Sequence, residues 1–295
     1  MATEAAVKRR SAGHRLAGVF HGRPRLQVGA LLAGPIGWLV IGYLGSLAVL
    51  LIAAFWTVDP LSGELIRGFS LESIETLVEE PVYRDIVGRT VLIAALVTVT
   101  DAILAFPIAF YMAKLSSRRT KAILLVAILV PLWSSYLVKV LSWRTMLSNG
   151  GVIDWALEPF GLSGPGFGST AVWLVMSYLW LPYMILPIYA GLERIPDSLI
   201  SASEDLGASP FTTFRRVILP LAFPAVVAGS IFTFSLSLGD FISVRLVSNS
   251  QLIGNSIFSF ITTDQPFAAA LAMVPIVVMI AYLGVARKLG AFEHV

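Results

Sequence analysis

Apolar residues fall along the chain in long unbroken runs, each bounded by a short polar or charged stretch. The first run is Val28 to Trp56, and further runs lie near Arg89 to Ala113, Ala122 to Arg144, Thr170 to Gly191, Leu221 to Val247 and Pro266 to Ala286. At about 1.5 Å per helical residue, each is long enough to cross the ~30 Å hydrocarbon core of a bilayer. Pro107, Pro131, Pro182, Pro187, Pro224 and Pro275 lie inside these runs. Proline breaks helices in water, but a membrane helix keeps it where neighbours satisfy the freed carbonyls. The pattern therefore predicts an all-α membrane protein with six transmembrane helices. Residues 1–27 form a basic tail, 28–88 a first helix and an external segment, 89–287 the transmembrane core with a polar loop at 192–220, and 288–295 a short C-terminus.

Two polar connections carry helical periodicity of their own. Ser198 to Pro220 reads SLISASEDLGASPFTTFRRVILP. Pro196 and Asp197 mark a helix start, with Asp197 or Ser198 as the capping group. Leu199, Ile200, Ser203 and Leu206 follow as one stripe. Gly207 sits where a left-handed C-terminal turn is cheap, and Ser209-Pro210 restarts the helix as cap and first residue. Upstream, SLESIETLVEEPVY predicts a short amphipathic helix capped by Ser70, with Leu71, Ile74, Leu77 and Val78 on one face, either packed on the bundle or turned towards an external protein.

Composition agrees with a bilayer chain: 57% hydrophobic residues, 13% charged, and a mean hydropathy of +0.82. The net charge of +3 says less than its placement. Lys114, Arg118, Arg119 and Lys121 share one loop without an acid, whereas Asp59, Glu64, Glu72, Glu75, Glu79, Glu80 and Asp85 outnumber Arg67 and Arg84 in another. The first loop is thereby expected in the cytoplasm and the second outside, with both termini cytoplasmic. Lys8, Arg9, Arg10, Arg15, Arg23 and Arg25 in the tail fit that orientation and contact with membrane lipid, and require no nucleic acid. The first apolar run is about twice the length of a signal-peptide core, so it is expected to remain as a span.

Catalytic chemistry finds no support in the sequence. Cysteine is absent, the histidines His14, His21 and His294 all lie in the tails, and no phosphate-binding Walker sequence occurs. No metal site and no catalytic residue is expected. Charges inside the spans are costly and hence informative: Asp101, Lys139, Asp240 and Arg245. Asp101 reads as structural. Asp240, preceded by Ser235, Ser237 and Gly239, has two readings, a wetted carboxylate bordering a solute path or the partner of Lys139 or Arg245. Trp133, Tyr136, Trp143, Trp173, Tyr178, Trp180 and Tyr183 concentrate in the middle runs, and aromatic faces hold cations. Trp133, Tyr136, Tyr183, Ser235, Ser237 and Asp240 are the expected pathway residues.

The loop resembles the cytoplasmic signature of binding-protein-dependent ABC importer permeases, which runs E-A-A, three residues, Gly, nine residues, Ile, one residue, Leu-Pro. Ser201, Ala202, Ser203, Gly207, Val217, Leu219 and Pro220 stand at those spacings, with Ser in place of the family's Glu and second Ala, while Glu204 and Asp205 keep the turn acidic. Val130 to Leu157 and Phe232 to Val247 resemble the spermidine/putrescine-type permeases, the larger of two partner subunits. The resemblance implies a type I ABC importer permease fold in a bacterial inner membrane, with Ser201 to Gly207 as a coupling helix seated in an ATPase. It further implies a dimer of ATPase subunits using ATP and Mg, no cofactor on this chain, a second permease subunit, an external solute-binding protein, and a polyamine such as spermidine or putrescine as solute. The competing classes are an ion-coupled transporter, which needs titratable groups at mid-bilayer, and a membrane scaffold without transport.

Overall fold

The computed structural model describes residues 24–59 and 61–288. The tail up to Arg23, the histidines and the C-terminal residues from 289 lie outside the described residues, and the expectations placed on them stay as stated. Two units are distinguished, divided after Ala53. In the first, helix Pro24–Trp38 (α1), a π-helical stretch Leu39–Leu44 and helix Gly45–Ala53 (α2) run on from one another. Within it, Leu31–Ala53 is apolar enough to span a membrane.

The second unit opens with a two-stranded antiparallel hairpin, Thr57–Val58 (β1) and Leu65–Ile66 (β2). Helix Glu72–Glu79 (α3) follows. Ser70 Oγ accepts from the Glu72 amide, but Leu71 and not Ser70 holds the N-cap position, and no side chain caps the helix from there. The buried side of α3 centres on Ser73, however, and Leu71 and Val78 are exposed, so the expected four-residue face is not the packed one.

Pro81 starts the long helix Pro81–Phe110 (α4), which widens into a π-helical turn at Tyr111–Leu115. Pro at the first turn needs no amide partner there, so the helix begins eight residues before the apolar run at Arg89. Helices Arg118–Trp133 (α5) and Tyr136–Leu147 (α6) come next, then short helix Val152–Leu157 (α7). Helix Ser169–Glu193 (α8) leads to the loop helices Asp197–Asp205 (α9) and Pro210–Thr213 (α10). A π-helical turn, Phe214–Ile218, joins α10 to helix Leu219–Gly239 (α11). Short helices Ile242–Val247 (α12) and Ile253–Phe260 (α13) precede the last, Gln265–Lys288 (α14).

Two of the expected spans are shaped differently from their apolar runs. Ala122 to Arg144 is not one straight helix: α5 and α6 meet at 92° across Ser134 and Ser135. Pro131 removes one ladder donor just upstream, and both serines take extended ψ angles of 149° and 133°. Among the described residues five helices are long and apolar enough to span, and six if this bent pair counts as one. The run Leu221 to Val247 likewise stops as a helix at Gly239, because Asp240 is extended and its carboxylate accepts from the Ser243 amide to start α12.

Helices α4, α8 and α11 pack on one another to form the centre of this unit. The antiparallel α8 and α11 approach closely at two points. A Cβ on Gly191 would strike the Ala225 side chain, and one on Gly229 would lie 2.8 Å from Met184 Sδ. Two of the apolar clusters run along the bundle and are larger than the others. One, around Ala105, Met112, Met184, Leu192, Ile195, Ile218 and Ala222, sits under the α9–α10 loop. The other, around Val97, Val140, Val175, Leu179, Val244 and Leu252, sits towards the far end.

Candidate functional site: a tethered loop and an aromatic cluster

The loop between α8 and α11 has the two-helix form expected of it. Gly207 has φ +78°, and a complete C-terminal cap forms around it: its amide donates to Glu204 O at 2.8 Å and the Ala208 amide to Ser203 O at 3.1 Å. Ser209 Oγ accepts from the Thr212 amide, with Pro210 as the first helical residue. The start of α9 differs from expectation. Pro196 is the residue before the helix and no side chain caps it. Asp197 is turned instead to Lys114 at the end of the α4 segment, whose Nζ donates to Asp197 Oδ1 at 2.7 Å and to Ile195 O at 2.6 Å.

Further ties fix this loop to the spans. Lys121 at the start of α5 pairs with Glu193 at the end of α8 at 2.9 Å. Phe214 makes edge contacts with Phe106 and Phe110 of α4, and Ile195 and Ile218 are buried. Ser203 and Thr213 hydroxyls bond at 3.0 Å, holding α9 to α10. The Lys114 contact holds the Asp197 carboxyl below its ordinary range. Its small stabilising effect is therefore full above that ordinary range and is lost as pH falls through the lowered value; exposure keeps the effect small.

The outward side of the loop carries Ser201, Ala202, Glu204, Asp205 and Gly207, all exposed. Leu206 departs from the expected stripe. As the C-cap residue it leaves the helical face and is 88% exposed, and Phe211 is 70% exposed. Two large apolar side chains thus stand in water beside an acidic turn. Leu219 and Pro220 open α11 and are exposed as well.

At the far end, Tyr136 and Tyr183 flank Trp180, and Asp240 is bonded to Tyr136. Tyr136 stacks on Trp180 at 6.0 Å with the rings 20° apart, and Trp180 meets Tyr183 at 6.0 Å. The Tyr136 hydroxyl donates to both Asp240 oxygens at 2.6 Å, and the Ser243 amide donates to Oδ1 at 3.1 Å. Asp240 is not in an ion pair. Among the described residues the salt bridges are Lys114–Asp197 and Lys121–Glu193, while Arg245 lies over the Phe258 ring. The pairing of Asp240 with Lys139 or Arg245 is therefore corrected to a neutral partner, Tyr136. Trp180 Nε1 and Ser243 Oγ, both buried in this neighbourhood, have no hydrogen-bond partner.

Three other expected pathway residues stand apart. Trp133 ends α5 before the bend and is 81% exposed, away from the ring cluster. Ser235 and Ser237 do not form one stripe, since residues two apart on an α-helix point about 200° apart, and the helix ends at Gly239 before the extended Asp240. Ser235 is exposed, whereas Ser237 is buried and donates to Thr233 O. Trp180, which the sequence offered only as one of several tryptophans, is the ring that joins the cluster.

Asp101 on α4 is fully buried, and neither of its carboxyl oxygens has a partner; Ser177 Oγ on α8 is in the same state. A charge there bears its desolvation cost without compensation. Asp101→Asn, equal in size and uncharged, is expected to keep or raise the thermal midpoint of the detergent-purified protein, by up to about 3 kcal/mol in stability. A marked drop would mean that the carboxylate is held by a bound ion or water. Among the described residues no group of three or more His, Asp or Glu side chains converges on a metal-sized site.

Comparison with known proteins gives this geometry its context. Residues 86–289 match the family described as "Binding-protein-dependent transport system inner membrane component". The chain is 42% identical over 297 residues to the "Inner membrane ABC transporter permease protein YdcU" of Escherichia coli (strain K12), covering 95% of each. It is 30% identical to the "Spermidine/putrescine transport system permease protein PotB" of Salmonella typhimurium (strain SL1344), covering 83% of this chain and 87% of that one. In structure it resembles a chain of a bacterial ABC transporter involved in the import of the acidic polysaccharide alginate, with a TM-score of 0.72 at 16% identity, covering 93% of this chain and 99% of that one. The matched segment takes in the two-helix loop, the bent span and the aromatic cluster: the chain belongs to the family of inner-membrane permease components of binding-protein-dependent ABC importers.

Proposed function

We propose that this permease passes a polyamine such as spermidine or putrescine, and that it does so as one of two unlike membrane subunits driven by a dimer of ATPase subunits. The observation that carries the solute reading is the cluster of Tyr136, Trp180 and Tyr183 beside the Asp240 carboxylate. Aromatic faces and a carboxylate in a low-dielectric setting attract an ammonium group together. The spermidine/putrescine permeases among the relatives agree with it. The alginate transporter, at 16% identity, bears on the fold alone.

Drive comes from the loop. Leu206 and Phe211 are apolar knobs on a rigid mount tied to α4, α5, α8 and α11, suited to a groove in an ATPase subunit that binds ATP and Mg. The basic loop at Lys114 to Lys121 lies at the same end, so the charge rule puts the loop and both termini in the cytoplasm and the acidic segment outside. A long basic tail and the acidic external segment suit the larger member of an unlike pair. The test uses the solute-binding protein that co-purifies with the transporter. Putrescine or spermidine, at about a hundredfold its Kd, is expected to raise that protein's thermal midpoint by roughly 5–10 °C. A shift with some other solute and none with either polyamine overturns the solute reading.

A further inference from the structure

Past the far end of α11 the chain forms a polar pocket of about 580 Å³, bordered by Arg245, Ser248, Asn249, Gln251, Asn255 and Phe258. No acidic side chain borders it. The Arg245 guanidinium lies 4.9 Å above the Phe258 ring, which is itself stacked on Phe241 at 5.1 Å with the rings 11° apart. This stack holds the guanidinium over the ring at the border of the pocket. The Asn255 side chain is already committed. Asn255 Nδ2 donates to Gln251 Oε1 at 2.9 Å and to Ser250 O at 3.3 Å, and Asn255 Oδ1 accepts from the Leu252 amide at 2.7 Å. Arg245 is therefore the pocket's charged donor, exposed and outside both ion pairs found among the described residues.

A flat, pre-positioned guanidinium in a polar concavity suits a carboxylate, which it can bind through two parallel hydrogen bonds. The occupant is opposite in charge to the solute proposed above, because a fixed cation here repels a polyamine. A carboxylate supplied by a protein removes that repulsion at the moment of delivery. The pocket is also far larger than one carboxyl group, leaving room for the segment that carries it. We propose that Arg245 anchors an acidic side chain of the external solute-binding protein when that protein docks on the transporter. The inference rests on the importer orientation given above, which puts this end outside.

The test measures binding of the co-purifying solute-binding protein to the complete transporter in nanodiscs, at several salt concentrations. Arg245→Glu is expected to weaken binding by at least about tenfold and to flatten its salt dependence, with Arg245→Lys intermediate. Basal ATPase activity and thermal midpoint are expected to stay at wild-type values, since the side chain is exposed and outside the coupling loop. Unchanged affinity and salt dependence in Arg245→Glu overturn the proposal. So does unchanged affinity with altered uptake, which assigns Arg245 to the solute instead. A wild-type complex that binds no solute-binding protein at all would strike the importer orientation itself, a result distinct from either.

Discussion

Gly207→Val is expected to abolish solute-stimulated ATP turnover and uptake by the assembled transporter while its yield stays near wild type. The reason is local and conformational. Gly207 sits at φ +78°, and a Cβ built there meets nothing within 4 Å, so the substitution causes no collision. A non-glycine residue in this region nonetheless costs about 1–2 kcal/mol, and a β-branched one more. That strain is relieved most easily by unwinding the last turn of α9, where the amides of Gly207 and Ala208 close on Glu204 and Ser203. Unwinding moves Leu206 and loosens Ser203 from Thr213, which separates the exposed side chain from α10 and the span that follows it. The energies that couple distant sites are typically about 1–3 kcal/mol, comparable with this strain. The buried cluster beneath the loop is untouched, so folding is expected to persist. Gly207→Asn is the control, because Asn tolerates the left-handed region and is expected to keep most activity. Full uptake by a well-expressed Gly207→Val protein would end the coupling reading.

What the sequence made legible here is what depends on neighbours in the chain. Gly207, Ser209 and Pro210 each act on the backbone within a few residues, and each does in the structure what its type predicts. Apolar runs predicted helices for the same reason. Failures came where the outcome depends on distant residues or on direction. The bend at Ser134 and Ser135 lies inside an apolar run whose hydropathy hardly changes, and the signal for it was Pro131 followed by two serines. Ser235 and Ser237 looked like a stripe when read as neighbours, although helical period already sends them to different sides. The partner of Asp240 is Tyr136, 104 positions away and neutral, so charge complementarity does not mark it. Trp180 was one tryptophan among several until packing set it between two tyrosines. In the same way, the tether from Lys114 to Asp197 joins positions 83 apart, which leaves no trace in either local pattern.

The second large effect is expected at Asp240. If its charge attracts an ammonium group, Asp240→Asn keeps the size and removes the attraction, and cation uptake is expected to fall by about 10- to 100-fold, the equivalent of roughly 1.4–2.8 kcal/mol. Expression and basal ATP turnover should remain, because Asn still accepts from the Tyr136 hydroxyl through one oxygen. Tyr136→Phe acts in the opposite way. It strips the buried carboxylate of its 2.6 Å donor and leaves the Ser243 amide as the remaining contact, so the expected defect is in yield and thermal stability. The two changes together test their dependence on each other: in Tyr136→Phe with Asp240→Asn the uncharged amide needs the lost donor less, and stability is expected to recover beyond the sum of the single effects. Replacing Lys139 or Arg245 is not expected to rescue Asp240→Asn, since neither forms an ion pair with it. Thermal midpoints of all three variants, measured with uptake of radiolabelled putrescine, separate the two roles of the carboxylate. An Asp240→Asn protein that folds and transports at the wild-type rate would remove Asp240 from the solute path and leave it as the hydrogen-bonded corner that ends α11 and begins α12.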